Sequence, residues 1–255
     1  MSIQNKNTIT NRIGGDGGTG IYTESATPQY DLGEKLEFKD GRTFRYAKAS
    51  AATIAAGNIV SQDQSTTSLV ETDGVIIAAT GRFSLAAGSL AIQATLAGVA
   101  KNQFAGGMFQ VTDDAGEGHQ YRIKSNSATS FTTTDKVDFD FYDPLVVAVT
   151  TASDIAIVGG LWNGVMAAVA ATDTIVSGVA PIAVTASYYF WAQTAGIALI
   201  LADGTITIGD LLVVSDGVAG AVQTQDVYTE AAIGSACYAP DDTGHVGVHL
   251  YGITA

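Results

Sequence analysis

Residues 136–142 read KVDFDFY and set Val137, Phe139 and Phe141 against Asp138 and Asp140 in strict alternation. Successive side chains of a β-strand point to opposite faces, so this pattern predicts a half-buried strand with both carboxylates on its wet side. Working outward, short runs rich in Val, Ile, Thr, Phe and Tyr recur between Gly, Asp, Asn and Ser: GNIVS, DGVIIAATG, PLVVAVT, ALILADGTITIGDLLVVS and HVGVHLYGI. That spacing predicts a mainly β chain, a β-sandwich or β-barrel. Helix is expected only over residues 48–56 and 165–171, and both segments are short.

Nearer the N-terminus, residues 34–48 read EKLEFKDGRTFRYAK. If Lys39, Asp40 and Gly41 form a three-residue hairpin loop with Gly41 left-handed, Leu36 faces Phe44 and Phe38 faces Arg42. Leu36, Phe38, Phe44 and Tyr46 then share the buried face. Lys35, Lys39 and Arg45 lie opposite, with Arg42 at the mouth of the turn. Together with Lys48 these are five of the chain's 12 Lys and Arg residues, a candidate docking surface for an acidic partner; the alternative is an ordinary solvated face. Residues 1–30, polar and carrying GGDGGTG, read as an extended arm. Residues 31–142 and 143–255 are expected to form two small β-domains, parted near Asp143 and Pro144. A loose echo between the segments that begin FRYAK at Phe44 and YFWAQ at Tyr189 fits that division.

At 255 residues the chain is long enough to bury a core without disulfides or metals. Cys237 is the single cysteine, which excludes an intrachain disulfide and suits assembly in a reducing cytoplasm. No basic residue stands near it in sequence, so it reads as a small buried core residue. The net charge of −13 is lopsided: through Lys136 there are 12 basic against 13 acidic residues, and beyond it 12 acidic and no basic ones. Such a half repels nucleic acid, whose recognition runs on Lys and Arg. It also keeps like-charged particles apart, although adaptation to salt explains the acidity equally well. Residues 155–172 and 174–202 lack charge, but Gly, Asn, Pro and Gln interrupt them, so buried strands are expected rather than membrane spans.

Residue sets with chemistry are few. GDGGTG satisfies a dinucleotide-binding pattern but lacks the flanking strand and helix that bring a pyrophosphate to a helix N-terminus. His245 and His249 on one strand would stand about 13 Å apart at ~3.3 Å per residue, too far to ligate one metal. Asp138 and Asp140, at roughly 6.5–7 Å, have a glycosidase-like separation or could contribute oxygens to calcium. Their alternation with buried residues reads instead as a solvated sheet face. Tyr188, Tyr189, Phe190 and Trp191 read as a strand shared between core and oligomer interface. The expectation is a binding protein without catalytic residues, cofactor or metal.

Several stretches carry a resemblance: NQFAGGMFQVTDDAGEGHQYRIKSNSATS from Asn102, DPLVVAVTTASDIAIV from Asp143, GVAPIAVTASYYFWAQTAGIALILADGT from Gly178, and VAGAV from Val218. Together they resemble a family of tailed-bacteriophage virion proteins that decorate or cement the capsid. TIAAGNIV and SLAAGSLAIQATLAGVA are also similar to capsid cement proteins, in which a glycine turn leads into the next strand of a small barrel. The resemblance implies a protein on the outer capsid surface, assembled in the host cytoplasm. Its expected partners are the major capsid protein and further copies of itself, as a trimer, with no nucleic acid or membrane partner. The rival from another class is a tail-associated or receptor-binding adhesin that contacts host glycan. A polysaccharide-degrading enzyme using Asp138 is the third.

Overall fold

The computed structural model describes residues 8–10, 20–62, 70–78, 80–96, 98–129, 136–169, 175–239 and 244–253, and every regular element among them is a strand. In chain order these are β1 (Thr8–Thr10), β2 (Lys35–Glu37), β3 (Thr43–Ala49), β4 (Ile59–Gln62), β5 (Val70–Ile76) and β6 (Ala91–Thr95). Next come β7 (Met108–Val111), β8 (Gln120–Asn126), β9 (Lys136–Phe141), β10 (Asp154–Val158), β11 (Asn163–Ala167) and β12 (Val176–Val179). β13 (Tyr189–Leu201), β14 (Leu211–Val214), β15 (Val222–Thr224), β16 (Gly234–Tyr238) and β17 (His245–Leu250) complete the set. The mainly β expectation holds. The two expected helices are absent: residues 48–49 end β3 and residues 165–167 belong to β11. N–H groups in both segments bond to remote parts of the chain: Ala49 to the Tyr188 carbonyl and Ser50 to that of Val165, each at 2.8 Å, and Ala168 to that of Ile59 at 3.0 Å. Segments this short do not nucleate a helix against such competition.

The chain divides into two compact units, residues 1–63 with 164–255, and residues 64–163. This replaces the expected split near Asp143. β9 and β10 stand on either side of that point and belong to the same closed barrel, whose strands run β10-β5-β6-β9-β8-β7. Alternation builds the barrel as KVDFDFY predicts: Val137, Phe139 and Phe141 are buried, while Asp138 and Asp140 are not. Phe109 meets the rings of Phe139 and Phe141 edge-on at 5.7 and 5.2 Å, a geometry favoured by the ring quadrupoles. Ile92, Ile123, Ile155 and Ile157 are among the side chains that pack with them in the interior.

The other unit is a sheet ordered β1-β2-β3-β11-β4-β12-β13-β17-β16-β14-β15, in which β3 also pairs with β13. β3, β11, β4, β12 and β13 thus close into a ring, and the remaining strands extend from it. The interior of β13 and β17 is aliphatic, with Ile200, Val246, Val248 and Leu250 packed on Leu212. A second core is aromatic. Trp191, Tyr46 and Tyr30 lie 5.1–5.2 Å from one another, and Leu36, Phe38 and Phe44 complete the cluster.

The chain leaves this unit after β4 and returns as β11, and Gln62 and Val165 are direct partners in that ladder. The barrel is therefore inserted between two neighbouring antiparallel strands. The sheet unit itself contains a doubled motif. Ile54 and Val184 exchange hydrogen bonds of 3.0 and 2.8 Å; Gly57 bonds to the Ala180 carbonyl as Ser187 bonds to that of Ser50, at 2.8 and 2.7 Å. β3 pairs with β13 as β12 pairs with β4. The echo seen in the sequence lies wholly within this unit and does not mark two domains.

The described part of the expected arm is not free. β1 pairs parallel with β2, Ser25 bridges to Tyr189, and Glu24 accepts hydrogen bonds from the Thr185 N–H and Oγ1 at 2.6 and 2.7 Å. Residues 14–19 of GGDGGTG lie outside the described residues.

Candidate functional site

The basic hairpin forms with the anticipated register. Leu36 is opposite Phe44, Gly41 has φ 87°, and the Phe38 N–H bonds to the Arg42 carbonyl at 2.9 Å. Its apolar face is buried as expected. The charges, however, are largely matched within the hairpin. Lys35 Nζ lies 3.3 Å from Glu37, and Arg42 Nε lies 2.8 Å from Asp40 with its guanidinium 5.1 Å above the Phe38 ring. Hydrogen bonds from the Arg42 N–H and side chain hold the Asp40 carboxyl below its ordinary range. Lys48 Nζ lies 5.6 Å from the Tyr189 ring centroid, and Arg45 donates to the Gly33 carbonyl at 3.0 Å. Burial lowers the Arg45 guanidinium and raises the Tyr189 phenol from their usual values. Lys39, exposed at the tip, is the cation most open to a partner.

The aromatic run divides. Phe190 and Trp191 are buried inside their own unit, which removes them from any interface between copies; Tyr188 and Tyr189 are half-buried. β13 is covered on both faces in its first half, so alternation no longer separates inside from outside there.

Asp138 and Asp140 face the same cation. Arg82 donates a short hydrogen bond to Asp140, and its other terminal nitrogen lies 3.8 Å from Asp138. Gln93 donates to Asp138 at 2.7 Å and Ser125 to Asp140 at 3.0 Å. Burial pushes the Asp140 carboxyl up, but the bonds from Arg82 and Ser125 outweigh it and leave it below its ordinary range. The pair is thus an ion-pair network on the barrel wall, with its oxygens engaged. His245 and His249 are exposed on β17, and the His245 ring nitrogen Nε2 lies 3.2 Å from the Ala56 carbonyl. Among the described residues no group of three His, Cys, Asp or Glu side chains is placed to hold a metal ion. No helix among the described residues is long and apolar enough to cross a membrane.

One feature escaped the sequence reading. A groove of about 590 Å³ lies in the sheet unit, lined by Tyr22, Arg42, Ile197, Leu199, Cys237 and Tyr238 among others. Cys237 is exposed here, not buried. A register irregularity between Ala236 and Tyr238 interrupts the alternation of β16, so Cys237 and Tyr238 both emerge on the outer side. Nothing in the composition of GSACY announces that bulge.

The glycine turn in TIAAGNIV and SLAAGSLA is also a defined unit. In each of four places a residue with positive φ follows a two-residue step: Gly57 (78°), Gly88 (90°), Ser187 (65°) and Gly209 (96°). The next N–H bonds back three residues, Asn58 to Ala55, Ser89 to Ala86, Tyr188 to Thr185 and Asp210 to Thr207, as a type II turn requires. The left-handed residue itself donates to a remote carbonyl, those of Ala180, Leu145, Ser50 and Ala236 respectively. Each turn therefore stitches the start of a strand to a distant segment.

No protein-family model, no curated protein and no solved structure matches this chain.

Proposed function

We propose that this protein decorates or cements the outer surface of a tailed-bacteriophage capsid, binding the major capsid protein and further copies of itself without turnover. The reading rests on the resemblance of the quoted stretches to that virion family. The observation that carries it is the recurrent turn: the phrases similar to cement proteins fall on a stitched turn-and-strand unit used in both the barrel and the sheet. The acidic second half and the all-β build agree with it. Many copies that each bury a standard ~1,600 Å² against a symmetric shell would turn modest single affinities into large avidity, opposing the outward pressure of packaged genome.

Lys39 is the hairpin residue assigned to the shell contact, because its neighbours already have intramolecular partners. Co-sedimentation of the purified protein with capsids that lack it tests the proposal. Saturation at a simple ratio to the major capsid protein is expected, weakened by salt and by Lys39→Glu. Absence of binding, together with retention on a host-glycan array, would replace this reading with the adhesin.

A further inference from the structure

We infer that the outer face of β13, β17, β16 and β14 is covered by a second copy of this chain. It gives a surface to the self-association proposed above, yet stands whether or not a shell is bound. The rows of this face follow from register. Ile197, His249, Ser235 and Leu211 lie side by side across four strands, and Leu199, Gly247 and Tyr238 form the next row. The opposite side chains of the same strands, Ala198, Ile200, Val246 and Val248 among them, are buried in the unit's own core. The outer rows belong to no core.

Area and charge together select the occupant. Tyr22, Tyr238 and Tyr251 are 65%, 56% and 56% exposed, and Ile197, Leu199 and Leu211 are 61%, 57% and 43% exposed. At roughly 150–250 Å² for each large side chain, this amounts to on the order of 700 Å². Each partner of a standard interface gives up about 800 Å², so the face is the size a stable dimer needs. No Asp, Glu, Lys or Arg stands in these rows, in a chain of net charge −13. Arg42 lines the groove, but Asp40 meets its charge at 2.8 Å; two copies repel across an acidic surface, and a face without net charge is where like-charged molecules can meet. Because one apolar surface meets its own equivalent, the contact is two-fold. Gly247 lets Tyr238 and Cys237 of the same chain pack close above it, since a Cβ there would meet Tyr238 at 2.9 Å, and the Tyr238 ring remains 56% exposed for a partner.

Cys237 lines that groove and is the chain's sole cysteine, so it reports directly on cover. Sedimentation equilibrium of the full chain should show twice 26.2 kDa at high concentration and 26.2 kDa on dilution. Alkylation of Cys237 by iodoacetamide should be at least ten-fold slower in the concentrated sample. Ile197→Lys with Leu199→Lys, both at exposed positions, should give 26.2 kDa throughout with an unchanged circular-dichroism spectrum and a concentration-independent alkylation rate. A wild-type monomer or trimer at every concentration overturns the inference, as does an oligomer in which Cys237 reacts as fast as in the monomer. Dimerisation with no affinity for capsids would defeat the function proposed above and leave this inference standing.

Discussion

The barrel and the sheet that hosts it solve the same problem in opposite ways. Six strands closed on themselves leave the barrel no free edge, and the facing carboxylates Asp138 and Asp140 are tied together by Arg82. Among the described residues it exposes three large apolar side chains, Leu90, Met108 and Val146, whereas the sheet unit exposes twelve. The sheet also keeps its edge strands, an apolar groove and the basic hairpin. The barrel is a self-contained insertion, and the apolar surface on which the proposed contacts draw lies on the sheet unit.

Excision breaks the comparison most severely. Gln62 and Val165 are ladder partners, so an Asn-Gly turn between them should close β4 and β11 into a hairpin after residues 63–164 are removed. The sheet unit is expected to retain its β-rich circular dichroism and a cooperative melt, and residues 64–163 to melt cooperatively alone. An unfolded product in either case would refute the independence of the units. Next in size are the core truncations. Phe139→Ala and Trp191→Ala should each cost about 3–5 kcal/mol in denaturant unfolding, each confined to the transition of its own unit. A loss shared equally by both transitions would show one cooperative body.

The turns give a smaller contrast. At Gly57 a left-handed backbone and the nearby His245 ring both oppose a side chain, so Gly57→Ala should cost at least the ~1–2 kcal/mol of a left-handed L-residue. Ser187 already bears that conformation at φ 65°, and Ser187→Gly should raise stability by about 0.5–1 kcal/mol. The smallest effect concerns Arg82. Asp140 is held below its ordinary range, so its contribution is present above the unfolded carboxyl value of about 3.9 and fades as pH falls through the folded one. Arg82→Ala should therefore destabilise the barrel by no more than ~1 kcal/mol at pH 7, and the difference from wild type should shrink below about pH 4. A difference that is constant across pH would dissociate Asp140 from the effect.

Much of the fold is legible where a strand has one wet and one dry face. KVDFDFY and the hairpin of residues 34–48 could be assigned register and burial because alternation and the Gly41 turn are local facts. The insertion was not legible, since it is closed by a ladder between Gln62 and Val165 that leaves no trace in composition. The echo between the segments from Phe44 and Tyr189 fitted a boundary near Asp143, but both segments belong to the sheet unit, and that point falls inside the barrel. Phe190 and Trp191 were misjudged because β13 is covered on both faces there, and Cys237 because residue type decided the reading, whereas alternation sets it outward with Ser235. Of the candidate site, the sequence located the five cations but not their partners Glu37, Asp40 and Tyr189, which leave Lys39 as the cation most open to contact. The groove draws on Tyr22, Leu199 and Tyr238, which only the folded chain brings together.

Electron cryo-microscopy of capsids incubated with saturating protein decides whether the sheet unit binds a viral shell as proposed. Ordered copies are expected at repeated symmetric positions on the outer surface, with the tip of the residue 34–48 hairpin against the major capsid protein. Bare shells at saturating protein, or copies attached through the barrel, would contradict the proposal.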